Sequence, residues 1–409
     1  MSRSMWNDAQ QIAMNAIRSC LPEEGVKKAL KDLDLKKEVC LVAVGKAAFS
    51  MAKAASEVLS IKEGILITKY GHIEGKIDHV TCYEAGHPLV DENSIKASEE
   101  AIKMCSRLSE EDIVVFLLSG GASALFEAPL IPLEELRGLN RQLLNKGLDI
   151  VSINTIRKKL SKVKGGRFAD LCKPAKVYSI ILSDVLSDRL DSIGSGPTVK
   201  DETNGRKALS LLEEKDIKID EKTRDIILRS KSGKADNCTN IVIGSVKILA
   251  RKAMEEAEKL GYRPILIDDQ IDIEAKDAGD LLFEEIEKHR NDGKDTALIL
   301  AGETVVHVRG KGLGGRNQEL VFSQMKKISG MDDVCILSIG SDGTDGPTDA
   351  AGGYIDGSSY ERFVKAGGEY EKVLEDNDSY HGLQLCDSLI KTGPTGTNVN
   401  DLSIALIRN

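Results

Sequence analysis

Short apolar runs, each followed by a loop of glycine, hydroxyl and carboxylate residues, recur along the whole chain. The pattern is clearest at 39–44, 113–118, 177–182, 296–300 and 334–339. Apolar runs of this length that are bounded by glycine are typical of buried strands, and the amphipathic stretches between them indicate helices. The chain is therefore constrained to an α/β fold, in which ligands bind at the carboxyl ends of the strands.

The composition is that of an ordinary globular protein, with 41% hydrophobic and 30% charged residues among 409. A chain of this length predicts two or three domains. The formal net charge of -9 argues against a nucleic-acid partner, which would need a basic face. No apolar run approaches the ~20 residues of a membrane helix, and the N-terminus lacks the apolar core of a signal peptide. We therefore expect a soluble, cytoplasmic protein without a membrane partner.

The eight cysteines include no Cys-x-x-Cys pair and lie mostly inside apolar segments. Disulfide frameworks and zinc sites usually show characteristic cysteine spacings, which are missing from this sequence. We therefore predict reduced, buried thiols rather than disulfides or zinc ligands.

A polar segment at 231–237 follows a charged, helical region and is the best candidate for a linker. We place the domain boundary there, which gives domains at 1–235 and 236–409. In the second domain, the segment 305–308 is expected to pair antiparallel with the strand 296–300, because only a tight Gly-Glu-Thr turn separates the two. The second domain is therefore expected to be mixed rather than purely parallel.

Two loops in the N-terminal half suit an anionic ligand. Lys46 follows the strand 39–44 and directly precedes a helix, whose N-terminus favours anions. The loop 119–123, Ser-Gly-Gly-Ala-Ser, follows the strand 113–118 and lets backbone N–H groups converge on phosphate oxygens. The alternatives are a solvated lysine near a cap and a turn that needs glycine for its conformation only. Neither loop matches the Walker A pattern.

Two carboxylates follow the strand 177–182. Asp184 and Asp188 lie four residues apart, and oxygen ligands of this kind are preferred by Mg²⁺. The alternative is a helix cap together with a surface acid.

The run 153–167, which includes Lys164, is the only strongly basic stretch of the sequence. Taken alone, such a run would indicate a nucleic-acid or acidic-partner patch. A solvated helix face is the more common explanation.

The C-terminal half gathers charged residues in loops after two strands. Glu303 follows one strand, and Asp342 and Asp345 follow the other. Arg316 comes after two glycines, so its planar fork can bind a carboxylate or phosphate with two hydrogen bonds. The alternative for the acids is that each bonds to its own turn.

These residues lie in sequence blocks that resemble the class II glycerate kinases, whose C-terminal half is the MOFRL domain. The blocks are Val-Gly-Lys-Ala at 44–47, Gly-His-Pro at 86–88, Ser-Gly-Gly-Ala-Ser-Ala-Leu at 119–125, the basic run at 153–167, Gly-Ser-Gly-Pro-Thr at 194–198, Gly-Glu-Thr at 302–304, Gly-Gly-Arg-Asn-Gln-Glu at 314–319, the glycine-rich and acidic stretch at 340–352 and Thr-Gly-Thr-Asn-Val-Asn-Asp at 395–401. They are colinear and cover nearly the whole chain, which makes the set specific although no single block is.

The resemblance implies ATP-dependent phosphorylation of D-glycerate to 2-phosphoglycerate, with Mg²⁺ or another divalent cation. It also implies two α/β domains with the active site in the cleft between them. The first is expected to be a Rossmann-like doubly wound α/β/α sandwich, and the second a mixed α/β MOFRL-type domain. The expected partners are glycerate and ATP, and the sequence leaves a homodimer open.

With this resemblance we assign roles to single residues. The predicted catalytic residues are Lys46, Glu303, Arg316 and Asp342. The predicted nucleotide-binding residues are Ser119, Gly120, Gly121, Ala122, Ser123, Lys164 and Asn398. The predicted metal ligands are Asp184, Asp188 and Asp345. His87 is a candidate ligand or acid, but a histidine before proline in a tight turn is more often structural.

A dinucleotide-binding oxidoreductase is the main alternative, because residues 310–315 satisfy Gly-x-Gly-x-x-Gly. In such a site, the acid that holds the ribose ends the next strand, whereas Asp332 and Asp333 precede the strand 334–339. An NAD(P)H-dependent hydroxypyruvate or tartronate-semialdehyde reductase is therefore the weaker hypothesis. A non-catalytic sugar-acid or nucleotide sensor is weaker still.

Overall fold

The structure, a computed structural model, describes residues 4–186 and 189–409. The chain forms two compact units. The N-terminal unit comprises residues 22–185 and 189–243, and the C-terminal unit comprises residues 4–21, 186 and 244–409. The domain boundary between residues 235 and 236 stays a prediction.

The described secondary structure alternates between strands and helices, as the apolar runs predict. The strands are β1 Val39–Val44, β2 Ile61–Lys69, β3 Val80–Ala85, β4 Ile113–Leu118, β5 Lys176–Leu182, β6 Cys238–Gly244, β7 Arg263–Ile271, β8 Thr296–Gly302, β9 Val334–Gly340, β10 Gly352–Asp356, β11 Leu389–Ile390 and β12 Asp401–Ile407. The helices are α1 Met5–Ser19, α2 Pro22–Leu33, α3 Ala48–Ser56, α4 Glu92–Cys105, α5 Ala122–Leu125, α6 Leu133–Asn145, α7 Ile150–Lys159, α8 Arg167–Leu171, α9 Gly205–Glu214, α10 Glu221–Arg229, α11 Val246–Lys259, α12 Ala275–His289, α13 Arg316–Gln324, α14 Ser359–Lys365, α15 Tyr370–Glu375 and α16 Ser379–Gln384.

The sheet of the N-terminal unit has the strand order β3-β2-β1-β4-β5-β6. β1 pairs parallel with both β2 and β4, and the pairs β2–β3 and β4–β5 are parallel as well. This is the doubly wound order, in which the chain reverses its direction of winding between β1 and β4. The predicted Rossmann-like architecture is therefore confirmed.

Helices cover both faces of this sheet, which explains why its strands are continuous apolar runs. Val42 and Phe116 pack with residues of α4 in one core. Leu41 and Ala43 point to the opposite face and are equally buried. Burial of a side chain such as Leu41, Val42 or Phe116 stabilises the folded state by roughly 1.5–3 kcal/mol.

A separate group of helices, α6, α7, α9 and α10, packs around its own small core within the N-terminal unit. Its boundaries follow local capping signals. Asp149 accepts hydrogen bonds from the backbone N–H groups of Val151 and Ser152 at 2.9 Å, so α7 begins there. This helix carries the first part of the basic run, up to Lys159.

The sheet of the C-terminal unit has the order β11-β10-β9-β12-β8-β7 and is mixed, as predicted. β7 and β8 are parallel, whereas β12 lies antiparallel between β8 and β9. The predicted antiparallel pairing of residues 305–308 with β8 is wrong. Val305 instead bridges Glu274 in parallel, because β7 and β12 already occupy both sides of β8.

Helix α1 packs within the C-terminal unit, although it begins the described chain. Its Asp8 carboxylate accepts hydrogen bonds from the Tyr262 hydroxyl at 2.9 Å and from Arg408 Nη2 at 2.7 Å. The ring of Trp6 meets the ring of Tyr354 edge-on, with 4.6 Å between centroids. The C-terminal unit is therefore built from both ends of the sequence.

All eight cysteines are free thiols, as predicted. Most of them are buried. Across residues 4–186 and 189–409, every helix is too short or too polar to span a lipid bilayer.

Candidate functional site

The loops after β1 and β4 meet at the point where the winding of the N-terminal sheet reverses. The backbone N–H of Lys46 donates to Gly120 O at 2.8 Å, and that of Ala47 donates to Ser119 Oγ at 3.1 Å. The Lys46 side chain is exposed. Parallel α/β sheets bind ligands at this reversal, so the two predicted loops form one candidate site, which we call the N-terminal edge.

Glycine is required at the N-terminal edge because other groups approach its backbone closely. A Cβ on Gly120 would lie 2.1 Å from Asp184 Oδ2, and a Cβ on Gly45 would lie 2.2 Å from Ser119 Oγ. Gly121 has φ +87 and would meet the ring of His87 at 3.1 Å. The structure thus brings Lys46, the glycine loop and Asp184 together, and it adds His87 to them.

Burial shifts the titration of both groups that face the glycine loop. It raises the pKa of Asp184, and the charge of Lys46 opposes this shift. It lowers the pKa of His87, and the charges of Lys46 and Lys69 lower it further. The N-terminal edge therefore combines a lysine with an imidazole and a carboxyl group whose charged forms are both disfavoured by burial.

This donor set fits Mg²⁺ that arrives with a phosphate ligand. Among the described residues, no three His, Cys, Asp or Glu side chains form a metal cage. Mg²⁺ in phosphoryl-transfer enzymes is commonly held by one or two carboxylates, phosphate oxygens and water, and Asp184 supplies one such carboxylate. Asp188, the second predicted ligand, lies outside the described residues.

The basic run is not a solvated helix face, which is the common alternative for such a run. Lys158, Lys159 and Lys164 are buried. The Lys164 ammonium donates to Ser123 O at 2.9 Å and to Phe126 O at 3.0 Å, and it pairs with Glu127 at 3.3 Å. Lys164 therefore holds the end of α5, while its predicted contact with the nucleotide stays a prediction.

Three loops meet at one edge of the C-terminal sheet, which we call the C-terminal edge. Glu303 follows β8 and Asp342 follows β9, and these strands end at the same edge of the sheet because both run antiparallel to β12, which lies between them. The first residue of β12, Asp401, lies opposite Gly302 and Gly340. Residues that are far apart in sequence are thereby collected, as predicted for this half of the chain.

Arg316, the first residue of α13, makes a two-pronged ion pair at the C-terminal edge. Its Nε donates to Asp401 Oδ2 at 2.5 Å and its Nη2 to Oδ1 at 3.0 Å, and Nη2 lies 3.6 Å from Glu303 Oε1. Burial works to lower the pKa of Arg316, but the bonds to Asp401 outweigh it and the pKa lies above its ordinary value. Asp401 was not predicted, although it closes the block 395–401.

A cavity of ≈ 630 Å³ opens beside this ion pair. Glu303 and Arg316 line it, together with the apolar side chains of Val305, Val308 and Pro347. Small-molecule sites typically have volumes of ~300–1,000 Å³ and combine apolar walls with a few polar groups. The cavity is large enough for a nucleotide fragment or for a three-carbon acid.

Asp345 and Asp342 both bond to nearby backbone. The buried Asp345 carboxylate accepts from Gln318 N at 2.9 Å and from Asn317 N at 3.2 Å, so it caps α13. Burial raises the pKa of Asp345 to about 6. Asp342 Oδ1 accepts from the backbone N–H and the hydroxyl of Thr344, both at 2.9 Å. Their metal and catalytic roles stay predictions.

Asn398 lies on the exposed loop that leads into β12. Its Oδ1 accepts from Asn400 N at 3.4 Å. The neighbouring Asn400, which the sequence did not single out, donates from Nδ2 to Glu303 Oε2 at 3.2 Å. Both asparagines thus belong to the C-terminal edge, and the predicted nucleotide contact of Asn398 stays a prediction.

The glycine stretch 310–315 is bound to another loop of the protein. The N–H groups of Arg309 and Gly310 donate to Asn377 Oδ1 at 2.8 and 3.1 Å. Those of residues 311–313 donate to oxygens of Asp376 and Asp378, each at 2.8 Å. A Rossmann glycine loop must instead offer its backbone to a pyrophosphate. This geometry disfavours a dinucleotide site.

Comparison with known proteins agrees with the sequence blocks. A model of the MOFRL family matches residues 296–401, and one described as a domain of unknown function (DUF4147) matches residues 8–228. The D-glycerate 2-kinase of Thermotoga maritima is 47% identical over 98% of this chain and 97% of its own length. The chain belongs to the class II glycerate kinase family. A second family member, glycerate 2-kinase of Pyrococcus horikoshii, is 40% identical over 98% of this chain and 94% of its own length.

The class II glycerate kinase fold is shared as well. The crystal structure of glycerate kinase from Thermotoga maritima matches with a TM-score of 0.95 at 46% identity, over 98% of this chain and 99% of that one. A relative from Agrobacterium vitis is named a putative hydroxypyruvate reductase, and it is 34% identical over 90% of this chain and 98% of its own length.

Proposed function

We propose that this protein transfers a phosphoryl group from ATP to the 2-hydroxyl of D-glycerate, giving 2-phosphoglycerate and ADP. The observation that carries the proposal is the N-terminal edge, where Lys46, the Gly120–Gly121 backbone and Asp184 adjoin at the reversal point of the sheet. The names of the two most similar relatives described above support the substrate and the position of transfer.

The N-terminal edge is proposed to bind phosphate. Lys46 supplies an exposed positive charge, and the glycine loop lets backbone N–H groups of residues 119–123 approach phosphate oxygens. Asp184 is proposed to hold the divalent cation that accompanies the nucleotide. When bound, Mg²⁺-ATP supplies the phosphoryl group and much of the neutralising charge that its transfer needs.

The C-terminal edge is proposed to orient the acid substrate. Within the described residues, the contacts of Arg316 use Nε and Nη2, which leaves Nη1 for a carboxylate or for developing phosphoryl charge. Asp342 bonds to its turn through Oδ1, so we assign Oδ2 to accept the hydroxyl proton. Glu303 and Asn398 support this arrangement, and Asp345 positions Arg316 by capping α13.

The decisive experiment supplies purified enzyme with ATP, Mg²⁺ and D-glycerate, follows ADP release and identifies the product by phosphorus NMR. Parallel reactions contain hydroxypyruvate with NADH or NADPH and are followed by absorbance. ADP release with a 2-phosphoglycerate resonance is expected. Nicotinamide oxidation without ADP release would overturn the proposal, and a 3-phosphoglycerate resonance would overturn the position of transfer.

A further inference from the structure

Helix α7 carries three consecutive cations, and carboxylates bond to only two of them among the described residues. Lys158 pairs with Asp191 at 3.0 Å, and Lys159 pairs with Asp201 at 2.5 Å. The side chain of Arg157 makes no hydrogen bond or ion pair with the residues that the structure describes, yet its Nε is buried. A buried guanidinium donor without an acceptor is costly, so its position calls for an anionic partner.

A second buried donor lies one helical turn earlier, on the same face of α7. Asn154 is 3% exposed, and its Oδ1 accepts from Ser195 Oγ at 2.9 Å. Its Nδ2 is buried and has no acceptor in the described part of the chain. Residues three apart on a helix are neighbours, so Asn154 and Arg157 project from adjacent positions of α7.

These donors adjoin the glycine loop of the N-terminal edge. Ser195 Oγ lies 3.3 Å from Oγ of Ser123, which follows the two glycines of that loop in the first turn of α5. Ser195 is fully buried and has φ 62, a left-handed conformation that is unfavourable for a residue with a side chain. The backbone of Ser195 is thus held in a conformation in which the Ser195 hydroxyl contacts both Asn154 and Ser123.

The charges around the two donors do not balance. Lys164 and Arg157 are both influenced by the Glu127 carboxylate, and only Lys164 lies within ion-pair distance of it, at 3.3 Å. Burial lowers the pKa of Lys164 to about 8. Two cations and one carboxylate leave one positive charge, which a bound oxyanion would neutralise.

We propose that Arg157 and Asn154 bind a substrate oxyanion, which is either the carboxylate of the three-carbon acid or a phosphate of the nucleotide. The proposal rests on the kinase function proposed above and extends its binding site to α7. A guanidinium fork binds either group with two hydrogen bonds, and the amide of Asn154 adds a third donor. The Michaelis constants for D-glycerate and for ATP show which of the two oxyanions binds here.

The test compares Arg157→Met, Arg157→Lys and Asn154→Asp with the wild type. Asn154→Asp keeps an oxygen for Ser195 and replaces the free donor with a negative charge. Arg141→Lys, at an exposed arginine of α6, is the matched control. We expect Arg157→Met and Asn154→Asp to raise the KM for one substrate at least about tenfold, with a smaller change in kcat and in the other KM, as for loss of a charged hydrogen bond.

Arg157→Lys keeps the charge but loses the fork, so we expect an intermediate rise of about threefold. A rise in the KM for D-glycerate identifies the carboxylate, and a rise in the KM for ATP identifies a phosphate. Unchanged KM values in all three variants would overturn the proposal. A lowered melting temperature without a KM change would also overturn it, because the donors would then serve stability alone.

A second readout does not depend on turnover. The shift in melting temperature is measured with D-glycerate alone and with inorganic phosphate alone. We expect at least one of them to stabilise the wild type and Arg141→Lys, and to have no effect on Arg157→Met. If the wild type lacks kinase activity but shows this pattern, the proposed function fails and the oxyanion site stands. If the wild type is an active kinase and Arg157→Met keeps every shift, the oxyanion site fails alone.

Discussion

The N-terminal edge and the C-terminal edge differ in how they could accommodate an anionic ligand. At the N-terminal edge, backbone and neighbouring side chains approach glycines so closely that a Cβ on Gly120 would lie 2.1 Å from Asp184 Oδ2. The exposed Lys46 has no ion pair within the described residues. At the C-terminal edge, the main cation is already paired, since Arg316 bonds to Asp401 with two hydrogen bonds.

The two edges should therefore respond differently to substitution. A site built from close backbone approach is damaged by added atoms, even one methyl group, whereas its free cation can be removed without harm to the fold. A site built from a partly buried ion pair is damaged by lost charge, and the loss affects stability as well as activity. The following substitutions test this contrast.

The largest effect is expected from Gly120→Ala. The added methyl group would displace Asp184 or the loop, so we expect turnover to fall at least about a hundredfold, which is about 2.7 kcal/mol of transition-state stabilisation. Steady-state ADP release measures it. Gly138→Ala in α6 is the matched control, because nothing lies within 4 Å of its added Cβ. Equal activity of the two variants would contradict the close approach.

Lys46→Ala and Arg316→Ala are each expected to lower turnover at least about tenfold, or about 1.4 kcal/mol. Only Arg316→Ala should also lower the free energy of unfolding, by about 2–3 kcal/mol, since it leaves the Asp401 carboxylate buried without its cation. Urea unfolding followed by circular dichroism distinguishes the two variants. A similar loss of stability in Lys46→Ala would break the contrast between the edges.

Because of Lys164, the free energy of unfolding of the N-terminal unit should increase at alkaline pH. Its pKa is about 8 in the folded protein and 10.5 ordinarily, so the unfolded chain binds more protons between these values. The free energy of unfolding should rise as pH increases through this window, by at most about 3 kcal/mol. Lys164→Met should lack this rise when both proteins are unfolded in urea at pH 8 and pH 10. A parallel pH dependence in the variant would refute the assignment.

Because of Asp345, the free energy of unfolding of the C-terminal unit should depend on pH in the opposite direction and by a smaller amount. Its pKa of about 6 exceeds the ordinary 3.8, so the folded protein binds more protons between these values. Stability from this group should fall as pH rises from about 4 to about 6, by at most about 2–3 kcal/mol. Asp345→Asn should remove the slope in melting temperature over this range. An unchanged slope would assign it to other carboxyl groups.

Local sequence patterns predicted the elements and loops of the N-terminal edge well. β1 and β4 have the predicted bounds because apolar runs buried on both faces end abruptly at glycine. Lys46 and the loop 119–123 meet because adjacent parallel strands end together. β3 was not predicted, since its half-exposed side chains break the apolar pattern.

Pairings between distant segments could not be predicted in the same way. β12 lies between β8 and β9, and nothing local to residues 401–407 specifies that position. The pair Arg316–Asp401 depends on it. Similarly, Lys159 and Lys164 are buried because Asp201 and Glu127, which are remote in sequence, meet them. The pattern of charges within residues 153–167 does not indicate those partners.

The position of β12 also affects the order in which a nascent chain can fold. The N-terminal unit is encoded by one stretch that is interrupted only near residue 186, so it can form while synthesis continues. The C-terminal unit needs α1, which precedes the N-terminal unit in the sequence, and the interior strand β12, which follows the other described strands. Until β12 has been synthesised, α1 has no complete sheet to pack against, and the facing edges of β8 and β9 stay open to wrong pairing.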